Sequence, residues 1–300
     1  MKKIINILFF ILYPAFMLVG QSHIRFNNYW DNMYSLNPAS INDATIGSIS
    51  MGARKQWVDF DGAPSTFAAT GTLYFEDLST QIGMKVYNEK KGYTSSLDID
   101  FSYTYSMYLN NAWKLNMGLA VSYQNLSYDI SKMTFASVEN PEIYDRLLST
   151  NNINADFGFE FNNQNWKIGG SSHNLTSIVN PKNELHLNTN IAYAMYRENS
   201  DNYINYGFGL SGFQYGNVYQ AEFNLSTFIK KDYNSNPVQI GAFYRTWREV
   251  GVIFGIDLDK FKVSYSCNHN FGKIMYHSYG THEIVLTYNF EKTYRCRTCW

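Results

Sequence analysis

Hydrophobic and polar positions alternate along most of this 300-residue chain. Leu97, Ile99, Phe101, Tyr103, Tyr105 and Met107 hold the odd positions of one stretch, and Asp98, Asp100, Ser102, Thr104 and Ser106 the even ones. The stretch from Trp113 to Tyr123 repeats this, with Asn116, Gly118, Ala120 and Ser122 on its polar side. So do 153–161, with Asn154, Asp156, Gly158 and Glu160, and 219–225, with Gln220, Glu222 and Asn224. Successive strand side chains point to opposite faces, so this period of two predicts strands with one oily and one wet face. The best helical candidate is a short one from Pro141 to Leu148, which follows Asn140 and has Pro at its first position.

The pattern predicts fourteen strands, at 45–57, 65–77, 79–89, 95–109, 112–125, 152–162, 164–175, 184–196, 203–213, 216–230, 237–248, 250–258, 260–270 and 281–290. An even number of antiparallel strands suits a bacterial outer-membrane barrel, with short periplasmic turns and longer outer loops. Connections 58–64, 127–151, 174–183 and 271–280 fall at one end, and Asn110–Asn111, Asn163, Arg197–Asn202, Lys231–Asn236 and Asp259 at the other. The link near Glu249 is a very short exception at the long end. A soluble β-sandwich would also bury one face of each strand, but it would expose more charge on the other. The fold expected is therefore all-β, a transmembrane antiparallel barrel of about fourteen strands.

Composition sharpens this. Aromatics make up 17% of the chain (25 Tyr, 21 Phe, 6 Trp) while charged residues make up only 16%. Such a chain is not disordered. A mean hydropathy of -0.32 argues against a helical membrane protein, whereas the two faces of a barrel average to near neutrality. With a net charge of -1 and no basic block, no nucleic-acid partner is expected.

The N-terminus reads as an address. Lys2 and Lys3 precede an apolar stretch, 4–19, and the small residue Gly20. That is the layout of a signal peptide, which would leave a mature chain beginning at Gln21. The expected organisation is a signal peptide at 1–20, a periplasmic N-terminal segment or plug at 21–44, the barrel at 45–290 and a tail at 291–300.

Phe26-Asn27-Asn28-Tyr29-Trp30-Asp31-Asn32 is followed by Leu36-Asn37-Pro38-Ala39, Arg54-Lys55-Gln56-Trp57 and Ala63-Pro64-Ser65-Thr66. This ordered set resembles the start of the PorP/SprF family of Bacteroidetes outer-membrane proteins, and further similar runs occur at 167–175 and 248–251 and in the last strand. The resemblance implies a barrel attached to the type IX secretion and gliding-motility apparatus, with secretion components and a secreted surface protein as partners beside membrane lipid. It marks Asn37, Pro38, Ala39, Arg54, Gln56, Trp57, Pro64 and Thr66 as structural or partner-binding positions. Pro38 biases Asn37 toward extended backbone. Arg54 is expected inside the barrel, paired with Asp98, Asp100 or Asp156, and Trp57 at the lipid interface.

Other chemistry is sparse. Cys296 and Cys299 form a CxxC that suits a small disulfide in an oxidising compartment, leaving Cys267 alone on a strand. Ser171 and His173 share a strand face and could pair as nucleophile and base, but the sequence identifies no third orienting group. No enzyme activity, cofactor or metal is expected. The expected role is delivery or anchoring of secreted proteins at the cell surface; the alternative is a general porin or hydrophobic-solute channel.

Overall fold

The first and last strands are hydrogen-bonded to each other, and this closes the sheet. The computed structural model describes residues 25–129, 149–179, 187–230, 238–246, 248–271 and 278–291. Fourteen antiparallel strands form one closed barrel in sequence order. They are β1 (Thr45–Lys55), β2 (Ser65–Phe75), β3 (Thr80–Lys91), β4 (Thr94–Tyr108), β5 (Lys114–Tyr128), β6 (Ser149–Asn162) and β7 (Trp166–His173). They continue as β8 (Thr189–Arg197), β9 (Ile204–Tyr215), β10 (Val218–Ile229), β11 (Val238–Arg245), β12 (Glu249–Leu258), β13 (Phe261–Asn270) and β14 (Thr281–Glu291). No helix among the described residues is long and apolar enough to cross a membrane.

The alternation sorts the side chains. Phe101, Tyr103 and Tyr105 of β4 are exposed on the outer wall, while Asp100, Ser102, Thr104 and Ser106 are buried inside. Leu119, Val121 and Tyr123 of β5 point out, and Asn116, Ala120 and Ser122 point in. Closure pairs every internal backbone group with a neighbouring strand, as a strand structure in hydrocarbon requires. Rings gather near the short-turn end of the wall, where Trp166, Tyr196 and Phe208 stack in series at 5.1 Å, and Phe261, Tyr288 and Phe290 at 4.9 and 5.0 Å. Aromatic girdles of this kind mark the membrane interface.

The strand ends joined by connections 56–64, 129–148, 174–188 and 271–280 lie at one end of the barrel. The very short link near Glu249 is a tight turn between separate strands β11 and β12, with Arg248 at φ 62°. Two expectations change here. β1 ends at Lys55, so Trp57 is not on a strand facing lipid. It sits in the loop at φ 47°, edge-on to Phe60 at 6.3 Å. That left-handed backbone breaks the strand period. The expected helix at 141–148, the signal peptide and the Cys296–Cys299 pair lie outside the described residues. Cys267 of β13 carries no disulfide.

A charge placed mid-wall tests the lipid-facing assignment. Leu119→Arg should destabilise the barrel by about 2–4 kcal/mol in urea titrations from lipid vesicles. Exchange of the inward Ser122 for Thr should cost far less.

Candidate functional site

Residues 25–44 run through the inside of the barrel, and every side chain from Phe26 to Trp30 and from Met33 to Ser40 is buried. The segment passes from one end to the other. Arg25 lies level with Arg54, near the long-loop end of β1, and Ala44 leads into the opposite end of the same strand. A short 3-10 turn at Met33–Ser35 bends it midway.

Apolar residues of the segment make a core with the inner wall. Tyr29, Trp30, Met33 and Leu36 pack with Ile191, Tyr193, Met195, Phe213 and Phe228. Phe26 makes a second contact with Ala68 and Tyr87. The wall is cut to receive the chain: a Cβ at Gly118 would stand 2.6 Å from the Pro38 carbonyl carbon, and one at Gly158 would meet the Asn37 amide. Such distances exclude a larger side chain without moving the segment.

Buried charges surround the segment near the long-loop end. The Glu222 carboxylate of β10 accepts from the Tyr29 hydroxyl at 2.6 Å and from Arg245 of β11, and stands 3.7 Å from the Arg25 guanidinium. Arg245 also donates to Glu249 at 2.9 Å and lies over the Phe243 ring. Arg25 lies over Phe213 at 3.8 Å and donates to Gln220 at 2.9 Å. A second carboxylate, Glu283 of β14, pairs with Arg54 at 3.2 Å and accepts the Asn27 backbone N–H at 2.6 Å. Arg54 further donates to the Arg25 carbonyl at 2.6 Å.

The partner of Arg54 is thus Glu283, and not Asp98, Asp100 or Asp156. The β1–β14 register sets Arg54 directly opposite Glu283. Asp100 lies 3.9 Å from Lys85 instead, and Asp156 is bonded to His173 at 2.8 Å.

Midway down, the Leu36 carbonyl accepts from the Ser171 hydroxyl at 2.8 Å, and His173 Nε2 stands 2.9 Å from the same oxygen. Ser171, His173 and Asp156 therefore follow in the order nucleophile, base, orienter, with Asp156 the third group that the sequence did not identify. Ser171 Oγ also stands 3.0 Å from His173 Nε2, so the hydroxyl and the ring nitrogen face each other and the same Leu36 carbonyl. The trio holds the segment by its backbone.

Asn37 is fully buried. Its amide donates to the Phe159 carbonyl at 3.0 Å and the Tyr193 hydroxyl at 2.9 Å, and Tyr193 donates to Glu160 at 2.6 Å. The Asn37 oxygen accepts the Ala39 N–H at 2.9 Å, the turn that Pro38 then fixes. Thr104 donates to the Pro38 carbonyl at 2.6 Å. Near the short-turn end, Asp31 is bonded to Lys262 and Asp43 to Lys114.

The other motif positions lie at the long-loop end. The Pro64 carbonyl accepts the Gln56 N–H at 2.9 Å, closing the neck of the β1–β2 loop beyond Trp57. Thr66 faces inward and donates to Glu89 at 3.2 Å. The structure therefore places Asn37, Pro38 and Ala39 deep in the lumen, and Arg54, Gln56, Trp57, Pro64 and Thr66 around its outer rim. Sequence reasoning missed Tyr29, Glu222 and Arg245 as the central group. The signal lay in the acids on the polar side of period-two strands.

A closed fourteen-stranded sheet with an apolar outer wall and a filled polar interior defines an outer-membrane β-barrel. The sequence model described as "Type IX secretion system membrane protein PorP/SprF" matches residues 18–288, and the chain belongs to that family. No curated protein sequence matches it. Among solved structures, the TodX monoaromatic hydrocarbon channel in its deltaS2S3 mutant form is similar at TM-score 0.50 and 7% identity, over 89% of this chain and 95% of that one. The toluene transporter TbuX of Ralstonia pickettii is similar at 0.50 and 8%, over 85% and 92%. Omp33 of Acinetobacter baumannii matches at 0.47 and 10%, over 83% and 98%. At these identities the likeness is one of fold.

Removing Glu222 should leave Arg25 without its counter-charge and Arg245 with Glu249 alone. Glu222→Ala is expected to cost about 3–5 kcal/mol in urea unfolding. Gly158→Leu should expel the Asn37 turn, seen as protease cleavage within 25–44 of a barrel that still migrates as folded.

Proposed function

We propose that this barrel serves the type IX secretion apparatus as a closed platform that helps deliver or anchor a secreted protein at the cell surface, including proteins used in gliding. The observation that supports this reading is the filled lumen. Residues 25–44 occupy the space through which a porin would pass its solute, tied to the wall by charged and apolar contacts along its length. Its working surfaces are then the loops of the long end, where a secreted client would be held, and the short-turn end, which faces the periplasmic parts of the apparatus. No catalysis or cofactor enters this reading, because Ser171 and His173 are engaged by the segment backbone.

A general porin or hydrophobic-solute channel is the second reading, and the hydrocarbon channels of like fold give it a reason to be tested. In planar bilayers the intact barrel is expected to show no steady conductance, and a barrel lacking residues 25–44 to show a large one. Affinity purification from native membranes should bring down a secreted surface protein with the intact chain. Steady conductance of the intact barrel without a co-purifying partner would favour the channel.

A further inference from the structure

The outer wall carries a groove that neither the lumen segment nor the anchoring role uses. It has a volume of about 540 Å³ and straddles the closure seam, from β13 and β14 across β1 to β2 and β3. In the strand register Lys90, Ser65, Lys55 and His282 stand in one row across four strands, on the lipid side. The next row toward the membrane centre is Asn88, Phe67, Ala53, Ile284 and Tyr265. Ala53 is the small residue between two exposed apolar ones, Phe67 at 50% and Ile284 at 53%. The floor of the groove is therefore apolar and faces hydrocarbon, while its upper edge is cationic.

The two lysines are otherwise unexplained. Both are exposed, and neither forms an ion pair among the described residues. Lys55 makes only a 3.4 Å bond to the Ala63 carbonyl. Asp59 and Asp61 lie in the loop above and pair with neither. Tyr265 and His282 are bonded to each other at 2.6 Å, which fixes two further polar groups on the rim. Cations at a membrane interface above an oily furrow match one kind of molecule: an acyl chain for the furrow and an anionic phosphate for the lysines. We propose that this groove binds a phosphate-bearing lipid of the outer leaflet, with the phosphate between Lys55 and Lys90 and an acyl chain along Ala53. Such a lipid would lie across the strands that close the barrel.

Native mass spectrometry of the full chain in detergent, titrated with dimyristoyl phosphatidylglycerol and with dimyristoyl phosphatidylcholine, tests this. The anionic lipid should be retained in preference to the zwitterionic one. The double variant Lys55→Ala, Lys90→Ala should weaken it roughly 25-fold, taking about fivefold for each surface lysine. Ala53→Trp fills the furrow with both charges intact, and should abolish retention as well. Heat-shifted gel migration checks that each variant is folded; if one is not, the other carries the test. Equal retention of the two lipids, an unchanged affinity in folded variants, or equal displacement by inorganic phosphate at matched concentration would overturn the proposal.

Discussion

A sheet closed on itself in lipid solves the backbone problem and creates a side-chain one. Every strand must pair its N–H and C=O groups, and closure through β1 and β14 achieves that. The same pleat then turns half of all side chains inward, and the inward half here includes Lys85, Glu160, Glu222, Arg245 and Glu283, all nearly inaccessible. Such groups need either water or partners. In this barrel the partners come from the wall itself and from residues 25–44.

Magnitudes separate what holds that segment from what positions it. Fully burying a large apolar side chain contributes about 1.5–3 kcal/mol, and Trp30, Met33 and Leu36 are all buried against the wall. A buried ion pair roughly breaks even against desolvation. The charges therefore set direction and register rather than strength. Near the long-loop end the segment is cationic and the wall anionic, with Arg25 against Glu222. Near the short-turn end the signs reverse, with Asp31 against Lys262 and Asp43 against Lys114. A segment threaded the other way would set like charges together at both ends.

The wall was legible in the sequence because period two is a local signal. The strands, their inward and outward faces and the unequal connections all follow from it, as β4 and β5 illustrate. What failed was non-local or conformational. For Arg54, a closed barrel implies that the first strand meets the last, but nothing local reports the register that sets Glu283 opposite it. Trp57 continued the alternation by one more step, while its backbone had already turned left-handed. Asn37 and Pro38 were recognisable as a turn. The turn's purpose depends on Gly118 and Gly158, whose missing side chains leave room for it. An absent atom gives no signal in a single sequence.

The lumen also separates two perturbations that resemble each other on paper. Changing Glu222 inside a filled barrel leaves Arg25 buried without its counter-charge and Arg245 with Glu249 alone, so the loss is that of a stranded ion. Removing the whole segment withdraws its packing, but it opens the interior, and Glu222, Arg245 and Glu283 then exchange protein partners for solvent. Hydrated charges in a polar lumen are the ordinary state of a porin. With the segment gone the wall keeps its own pairs, Arg245 with Glu222 and Arg54 with Glu283. The barrel is thus a self-sufficient wall carrying a removable filling, so the closed lumen belongs to residues 25–44 and not to the architecture of the strands.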